Sequence, residues 1–215
     1  MVWDGRYLPG LWLVERALGV AFERVATHGV VSVAIRRSHH IACLAALVRL
    51  ATERGYVALL ATSDPAFGFV APYGGREPLL TPNPFAIGYP GSRTPVLVDM
   101  CASITTVSMA SQKAAAGEAF EHPWLMDAEG RPSTDPRVLE QTDPRGSLLL
   151  LGGLEYGHKG FGLALMVEVP VRMPGEQAER RIAAAREHGV PLAEPTVRRL
   201  ALSAARFGLD VPAAL

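Results

Sequence analysis

Residues 30–61 constrain the fold more than any other stretch, because two short apolar runs flank a helix-length segment with almost no linker. Val30 to Ile35 is β-branched and apolar and reads as a buried strand, ending in the polar knot Arg36-Arg37-Ser38-His39-His40. A helix is expected from about Ile41 to Arg54, stopped by Gly55. Tyr56 to Ala61 is the second run, closing on Thr62-Ser63-Asp64-Pro65, whose residues favour a turn. Strand, helix and strand predict a βαβ unit, and a crossover of that kind makes its two strands parallel. His39-His40 and Ser63-Asp64 would then share the C-terminal edge of one sheet, the edge at which open α/β sheets bind ligands.

The rest of the chain fits an α/β protein. Leu11, Val14, Leu18, Ala21, Phe22 and Val25 recur at helical spacing opposite Glu15, Arg16, Glu23 and Arg24, with His28-Gly29 as the stop. Phe85 to Tyr89 and Val96 to Met100 are further strands, the second carrying Asp99 near its end. Ser103 is the expected cap of a helix running to Gly117, and Asp127-Ala128-Glu129-Gly130 reads as a tight turn. Leu148 to Leu151 and a glycine-rich run lead into an apolar helix, Leu163 to Val167, which Glu168-Val169-Pro170 ends because proline cannot continue it. Two charged helices follow. The expected organisation is an α/β core over residues 1–168, with a helical segment over 169–215 packing on it.

Composition narrows the partners. Lys plus Arg and Asp plus Glu both number 21, so no net charge draws the chain to nucleic acid or to an anionic membrane, and a small molecule is the expected partner. Cys43 and Cys101 lack the spacing of a disulfide framework, a zinc site or a CxxC pair, which suits a reducing cytoplasm. The N-terminus reads Met-Val-Trp-Asp-Gly-Arg, without a basic region and apolar core, and no apolar run approaches the ~18 residues of a membrane span, so neither secretion nor membrane insertion is expected.

Several residues are candidates for chemistry, each with a plainer alternative. His40 beside His39 is the leading acid/base, because imidazole titrates near pH ~6.5; the alternative is a solvated or backbone-bonded histidine pair. Ser63 and Asp64 fit a cofactor's phosphate, ribose or amide, or simply shape the turn before Pro65. Asp99 can accept hydrogen bonds from a sugar, orient a histidine, or form a structural salt bridge. Lys159 lies in the glycine-rich run, where small residues admit a phosphate or a neighbouring backbone. That run has neither GxGxxG nor P-loop spacing. His28 and His188 read as helix caps and His122 as loop surface. A metal shared by His39, His40 and Asp99 is disfavoured, because adjacent histidines in an extended segment point to opposite faces.

Arg37-Ser38-His39-His40, Ser63-Asp64-Pro65, Ala71-Pro72-Tyr73-Gly74-Gly75, Asn83-Pro84, Val98-Asp99-Met100, Asp127 to Pro136 and His158-Lys159-Gly160-Phe161-Gly162-Leu163, taken in order, resemble the type 2 malate/L-lactate dehydrogenase family. Its members include ureidoglycolate, sulfolactate and piperideine-carboxylate oxidoreductases. The resemblance implies a non-Rossmann α/β fold with a mixed sheet flanked by helices, and a homodimer. It also implies hydride transfer between a 2-hydroxy acid, or its oxo or imino counterpart, and the nicotinamide of NAD or NADP. His40 corresponds to the family's proton acceptor and donor. Ser63, Asp99, Met100, Cys101, Lys159 and Gly160, with Pro174 and Gly175 in the tail, correspond to its nucleotide contacts.

The chain also departs from the family pattern. The longer leading helix with a Ser-His-Gly motif and an arginine is not found, nor is the long stretch before Pro174-Gly175. Thr81-Pro82 replaces Gly-Thr, and Met109 stands where many members have lysine. The sequence thus leaves three readings: an active oxidoreductase using His40, an inactive nucleotide-binding relic, and a cofactor-free hydrolase or isomerase using His40 and Asp99.

Overall fold

The computed structural model describes residues 1–141 and 144–168, together with positions 187, 197, 201, 202 and 204–206. Two compact units, Met1–Val171 and Arg172–Leu215, make up the chain, and every element with defined bounds belongs to the first. That unit is a mixed α/β fold whose strands are divided among three small sheets. Of the two charged helices expected in the tail, only positions 187, 197, 201, 202 and 204–206 are described, and each of these is helical. No helix among the described residues is long and apolar enough to cross a membrane.

The opening sheet pairs β1 (Val2–Leu8) in parallel with β2 (Ala34–Ser38), and α1 (Gly10–His28) crosses between them. Helix α1 has the bounds expected of its apolar spacing, with His28 in its last turn and Gly29 closing it at φ 70°. Sequence patterning did not anticipate β1, whose polar and glycine residues conceal its alternation. Its register slips between Asp4 and Leu8, where Arg6 and Tyr7 take left-handed φ values. Across the pair, the Asp4 carboxylate binds the Arg37 guanidinium through both oxygens, with Arg37 Nε donating to Oδ1 at 2.9 Å.

The second sheet is antiparallel and runs β3 (Ala58–Ala61), β4 (Pro84–Tyr89), β5 (Val96–Cys101). This arrangement corrects the expected βαβ unit. Helix α2 (Leu44–Thr52) does join β2 to β3, but β2 pairs with β1 while β3 pairs with β4, so α2 links two sheets rather than crossing one. A short apolar run satisfies either arrangement, because buried strands in parallel and antiparallel sheets present the same pattern.

One face of the β3–β4–β5 sheet packs on α2. Ala58, Leu60, Ala86 and Leu97 join Leu44, Leu47 and Val48 in a core that also takes Val14 and Ile41. Gly88 leaves room for the helix, since a Cβ there would lie 2.8 Å from Thr52 Cγ2 and 3.1 Å from Val48 Cγ2. Strand alternation puts Leu59, Phe85, Ile87, Tyr89, Val96, Val98 and Met100 on the opposite face, which carries no charged side chain. Leu59 is 64% exposed and Val98 38%, so this apolar face is uncovered.

A second core surrounds the third sheet, β6 (Leu125–Met126) between β7 (Pro132–Ser133) and β8 (Ser147–Leu148). Leu125, Leu148, Val70 and Phe120 are buried there with Ala110 of α3 (Val107–Ala116) and Ala164 of α4 (Gly153–Glu168). Thr106, rather than Ser103, caps α3: its hydroxyl accepts from the Met109 amide, while Ser103 donates to the Thr105 carbonyl. The expected turn at Asp127 closes through Gly130, whose amide meets the Asp127 carbonyl at 3.0 Å with φ 84°. Helix α4 begins ten residues before Leu163, because a helix rich in glycine fits where neighbouring backbone presses on it.

Asp4 supplies a pH-dependent link between β1 and β2. The Arg37 hydrogen bonds, followed by the Arg6 amide, hold its carboxyl at about 2. A carboxyl lowered by folding stabilises fully above its unfolded value, near ~4, and loses that contribution as pH falls through the folded value. Acid titration followed by circular dichroism should show part of the loss in stability falling between about pH 4 and pH 2. Asp4→Asn should remove that part while leaving the curve above pH 5 parallel to the parent's.

Candidate active site

His40 sits on a segment whose backbone is fixed from several sides. The His39 amide donates to the Leu8 carbonyl at 3.1 Å. Gly10, at the start of α1, packs against the same segment: a Cβ there would lie 2.2 Å from the His39 carbonyl oxygen and 2.8 Å from that of His40. Ile41 is buried in the α2 core. Ala42 takes φ 52° and donates its amide to His40 Nδ1 at 3.1 Å. This accepted bond assigns the proton of the neutral ring to Nε2. Both His39 and His40 remain exposed.

Asp99 neither orients a histidine nor forms a salt bridge among the described residues. Its Oδ2 accepts from the Ala45 amide at 2.7 Å and lies 3.8 Å from Cys43 Sγ, so it caps α2 from the neighbouring sheet. Negative charge suits that position, because the first turn of a helix presents unpaired amides and the positive end of its dipole. Among the described residues Asp99 forms no ion pair. Helix α2 therefore runs from Asp99 toward Gly88 and Leu97, antiparallel to β5. The segment carrying His40 enters it from the end of the sheet where β5 finishes.

Ser63 lies at that same end. The Thr62 amide donates to the Pro84 carbonyl, and Pro84 pairs with Cys101. Ser63 Oγ donates to Glu168 Oε2 at 2.6 Å, and Asn83 Nδ2 donates to the same oxygen at 2.9 Å and to the Ala164 carbonyl at 3.0 Å. Asn83 is fully buried, adopts φ 47°, and leaves its Oδ1 without a partner. The segments carrying His40 and Ser63 do meet at one end, but α2 and β5 bring them there, not a shared parallel sheet.

Cys101 follows Asp99 on the α2 face of β5, and Met100 lies on the other face. Burial, then the Asp99 charge, pushes the Cys101 thiol up, against a lowering contact from Ser103. Lys159 is exposed on α4, with its ammonium 5.4 Å from the Tyr156 ring and no ion pair among the described residues. Gly160 is packed, because a Cβ would meet the Leu151 backbone at 2.6 Å and the Ala102 carbonyl at 2.8 Å. Of the two alternatives for the glycine run, neighbouring backbone is the one seen at Gly160. Pro174 and Gly175 lie outside the described residues, as does His188. His122 is exposed, and no described group of three acidic, histidine or cysteine side chains could hold a metal.

Sequence reasoning missed three residues of this region as contributors. Gly10 carried no reading, Asn83 stood only in loop punctuation and a family motif, and Glu168 stood only at a helix end. No periodic signal marks them, since each acts through contacts with residues far along the chain. A groove of about 550 Å3 between Trp3 of β1 and Trp12, Arg16 and Glu23 of α1 contains none of the site residues.

Comparison with known proteins gives this α/β core relatives that are hydroxy-acid dehydrogenases and related reductases. Residues 1–169 match the model of the malate/L-lactate dehydrogenase family, and the chain belongs to that family. It is 34% identical over 167 residues to the L-sulfolactate dehydrogenase of Methanothermobacter thermautotrophicus, covering 77% of this chain and 46% of that protein. The (2R)-3-sulfolactate dehydrogenase (NADP(+)) of Chromohalobacter salexigens is 36% identical over 157 residues, covering 73% and 43%. Among solved structures, the malate dehydrogenase of Entamoeba histolytica superposes with a TM-score of 0.73 at 25% identity, covering 86% of this chain and 53% of that one. The chain spans about half the length of the curated relatives it matches.

Two measurements check this geometry. Gly10→Ala should destabilise the protein by about 1–3 kcal/mol in urea unfolding, because backbone rather than a flexible side chain opposes the new methyl. Asp99→Ala should cost about 1 kcal/mol through the lost cap, with Asp99→Asn retaining much of it. A disulfide-exchange reagent should label exposed Cys43 well before Cys101, whose thiol is kept neutral by burial; equal rates would contradict the packing of β5.

Proposed function

We propose that the chain is an NAD(P)-dependent oxidoreductase acting between a small 2-hydroxy acid and its 2-oxo acid, with His40 as the proton-transferring group. The observation that carries this reading is an exposed imidazole held by a fixed backbone in a chain of this family. Lys159, a cation without an ion-pair partner among the described residues, suits a nucleotide phosphate. When bound, the nicotinamide supplies or accepts the hydride.

His40 then has to move one proton to or from the substrate oxygen. In reduction of an oxo acid the proton passes from the ring to the oxygen as the carbon–hydrogen bond forms, and oxidation reverses both movements. An imidazolium carries protons on both nitrogens, so it cannot accept from the Ala42 amide. Charging His40 must therefore open the 3.1 Å contact that holds the neutral ring. The backbone fixed by Leu8 and Gly10 keeps the residue in place while that contact breaks.

A homodimer is the expected assembly, supported by the uncovered apolar face of the β3–β4–β5 sheet, on which no charge would oppose a second copy. A second reading is a nucleotide-binding module without turnover, favoured by the departures from the family pattern at Thr81-Pro82 and Met109. Both readings are tested by titrating the purified protein with NADH and NADPH and then screening 2-oxo acids. The active-enzyme reading expects saturable binding and turnover, with His40→Ala lowering the rate about 10²- to 10⁴-fold. Turnover within a few-fold of the parent removes His40 from the mechanism, and binding without turnover favours the module.

A further inference from the structure

We infer that Ser63 meets the nucleotide as a hydrogen-bond acceptor, so that the group seated against it is a donor, either the nicotinamide carboxamide N–H or a ribose hydroxyl, and not a phosphate oxygen. This rests on the reading that the site binds a nicotinamide nucleotide, and it narrows which part of that nucleotide Ser63 touches.

A serine hydroxyl has one proton to give. Ser63 gives it to Glu168 Oε2 at 2.6 Å, a short contact of the charge-assisted kind. Glu168 is not free to swing away, because the same oxygen also takes the Nδ2 of Asn83. Asn83 is itself fixed: it is fully buried, its other amide proton is on the Ala164 carbonyl, and its backbone is left-handed. Breaking the Ser63 contact by moving Glu168 would strand a buried amide N–H. What Ser63 has left is lone pairs, and lone pairs receive donors.

Charge points the same way. A phosphate oxygen within hydrogen-bond reach of Ser63 Oγ would approach the Glu168 carboxylate lying 2.6 Å behind that hydroxyl. Two anions separated by little more than one hydroxyl group repel. A carboxamide N–H or a sugar hydroxyl meets no such opposition, and its positive hydrogen is drawn to the carboxylate as well. The notion that Ser63-Asp64-Pro65 cradles phosphate therefore fails on Ser63, whereas Lys159 remains suited to that role.

The test compares NADH, reduced 3-acetylpyridine adenine dinucleotide, in which a methyl replaces the amide nitrogen, and a deoxyribose analogue of NADH. Affinities are measured by fluorescence at fixed ionic strength on the parent chain and on Ser63→Ala. If the carboxamide is the donor, the acetylpyridine analogue binds the parent about 5- to 10-fold more weakly than NADH, and Ser63→Ala closes that gap. If a ribose hydroxyl is the donor, the deoxy analogue shows the deficit instead, and the substitution closes that one. Should Ser63→Ala fail to fold, the parent alone decides, since one donor-deleted analogue must bind more weakly than NADH. Equal binding of all three ligands to the parent overturns the inference. So does a Ser63→Ala variant that weakens inorganic pyrophosphate as much as NADH. A folded parent that binds no NADH refutes the nucleotide reading itself, a distinct result.

Discussion

The contact on which the site depends is the Asp99 carboxylate at the N-terminus of α2. It joins the last strand of the antiparallel sheet to the helix that leads back, within a few residues, to His40. Apolar packing of Leu44, Leu47 and Val48 on Ala86 holds the helix to the sheet but does not fix where it begins, because the hydrophobic effect is non-directional. A carboxylate on a backbone amide is directional and fixes it. Gly10 completes the arrangement by letting the His39–His40 carbonyls lie directly against the start of α1.

A second polar joint does the corresponding work on the other side. Glu168 gathers Ser63 and Asn83 onto one oxygen and so ties the turn after β3 and the start of β4 to α4. Asn83 tolerates a left-handed backbone better than most residues, which suits a tight entry into β4. Both joints bring a carboxylate from a distant part of the chain to unpaired donors, and both lie at the end of the sheet where the candidate residues collect. The two differ in purpose. Asp99 acts on backbone and shapes the path to His40, whereas Glu168 acts on a hydroxyl and decides what that hydroxyl can offer a ligand.

Much of this was legible from the residues. Helix α1 was bounded by its apolar repeat and its His28-Gly29 stop, and β4 and β5 by short apolar runs. The family resemblance gave the fold class and the dehydrogenase relationship, which the comparisons bear out. Local chemistry misled where two arrangements share one pattern. Thr106 and Ser103 are both plausible caps, and only the helix start distinguishes them. The glycines around Lys159 left a phosphate and a neighbouring backbone equally open, and Gly160 admits backbone inside a helix.

The sequence by itself determined the elements with strong periodicity, the balanced charge, and the set of residues able to do chemistry. It did so because propensity, spacing and charge are properties of neighbours along the chain. Tertiary structure alone decided that α2 links two sheets, that Asp99 caps a helix, and that Glu168 takes the proton of Ser63. Those outcomes depend on pairing partners 54 and 105 residues apart. Hydrogen bonds over such separations exist only once packing has set direction and distance, so no local pattern encodes them.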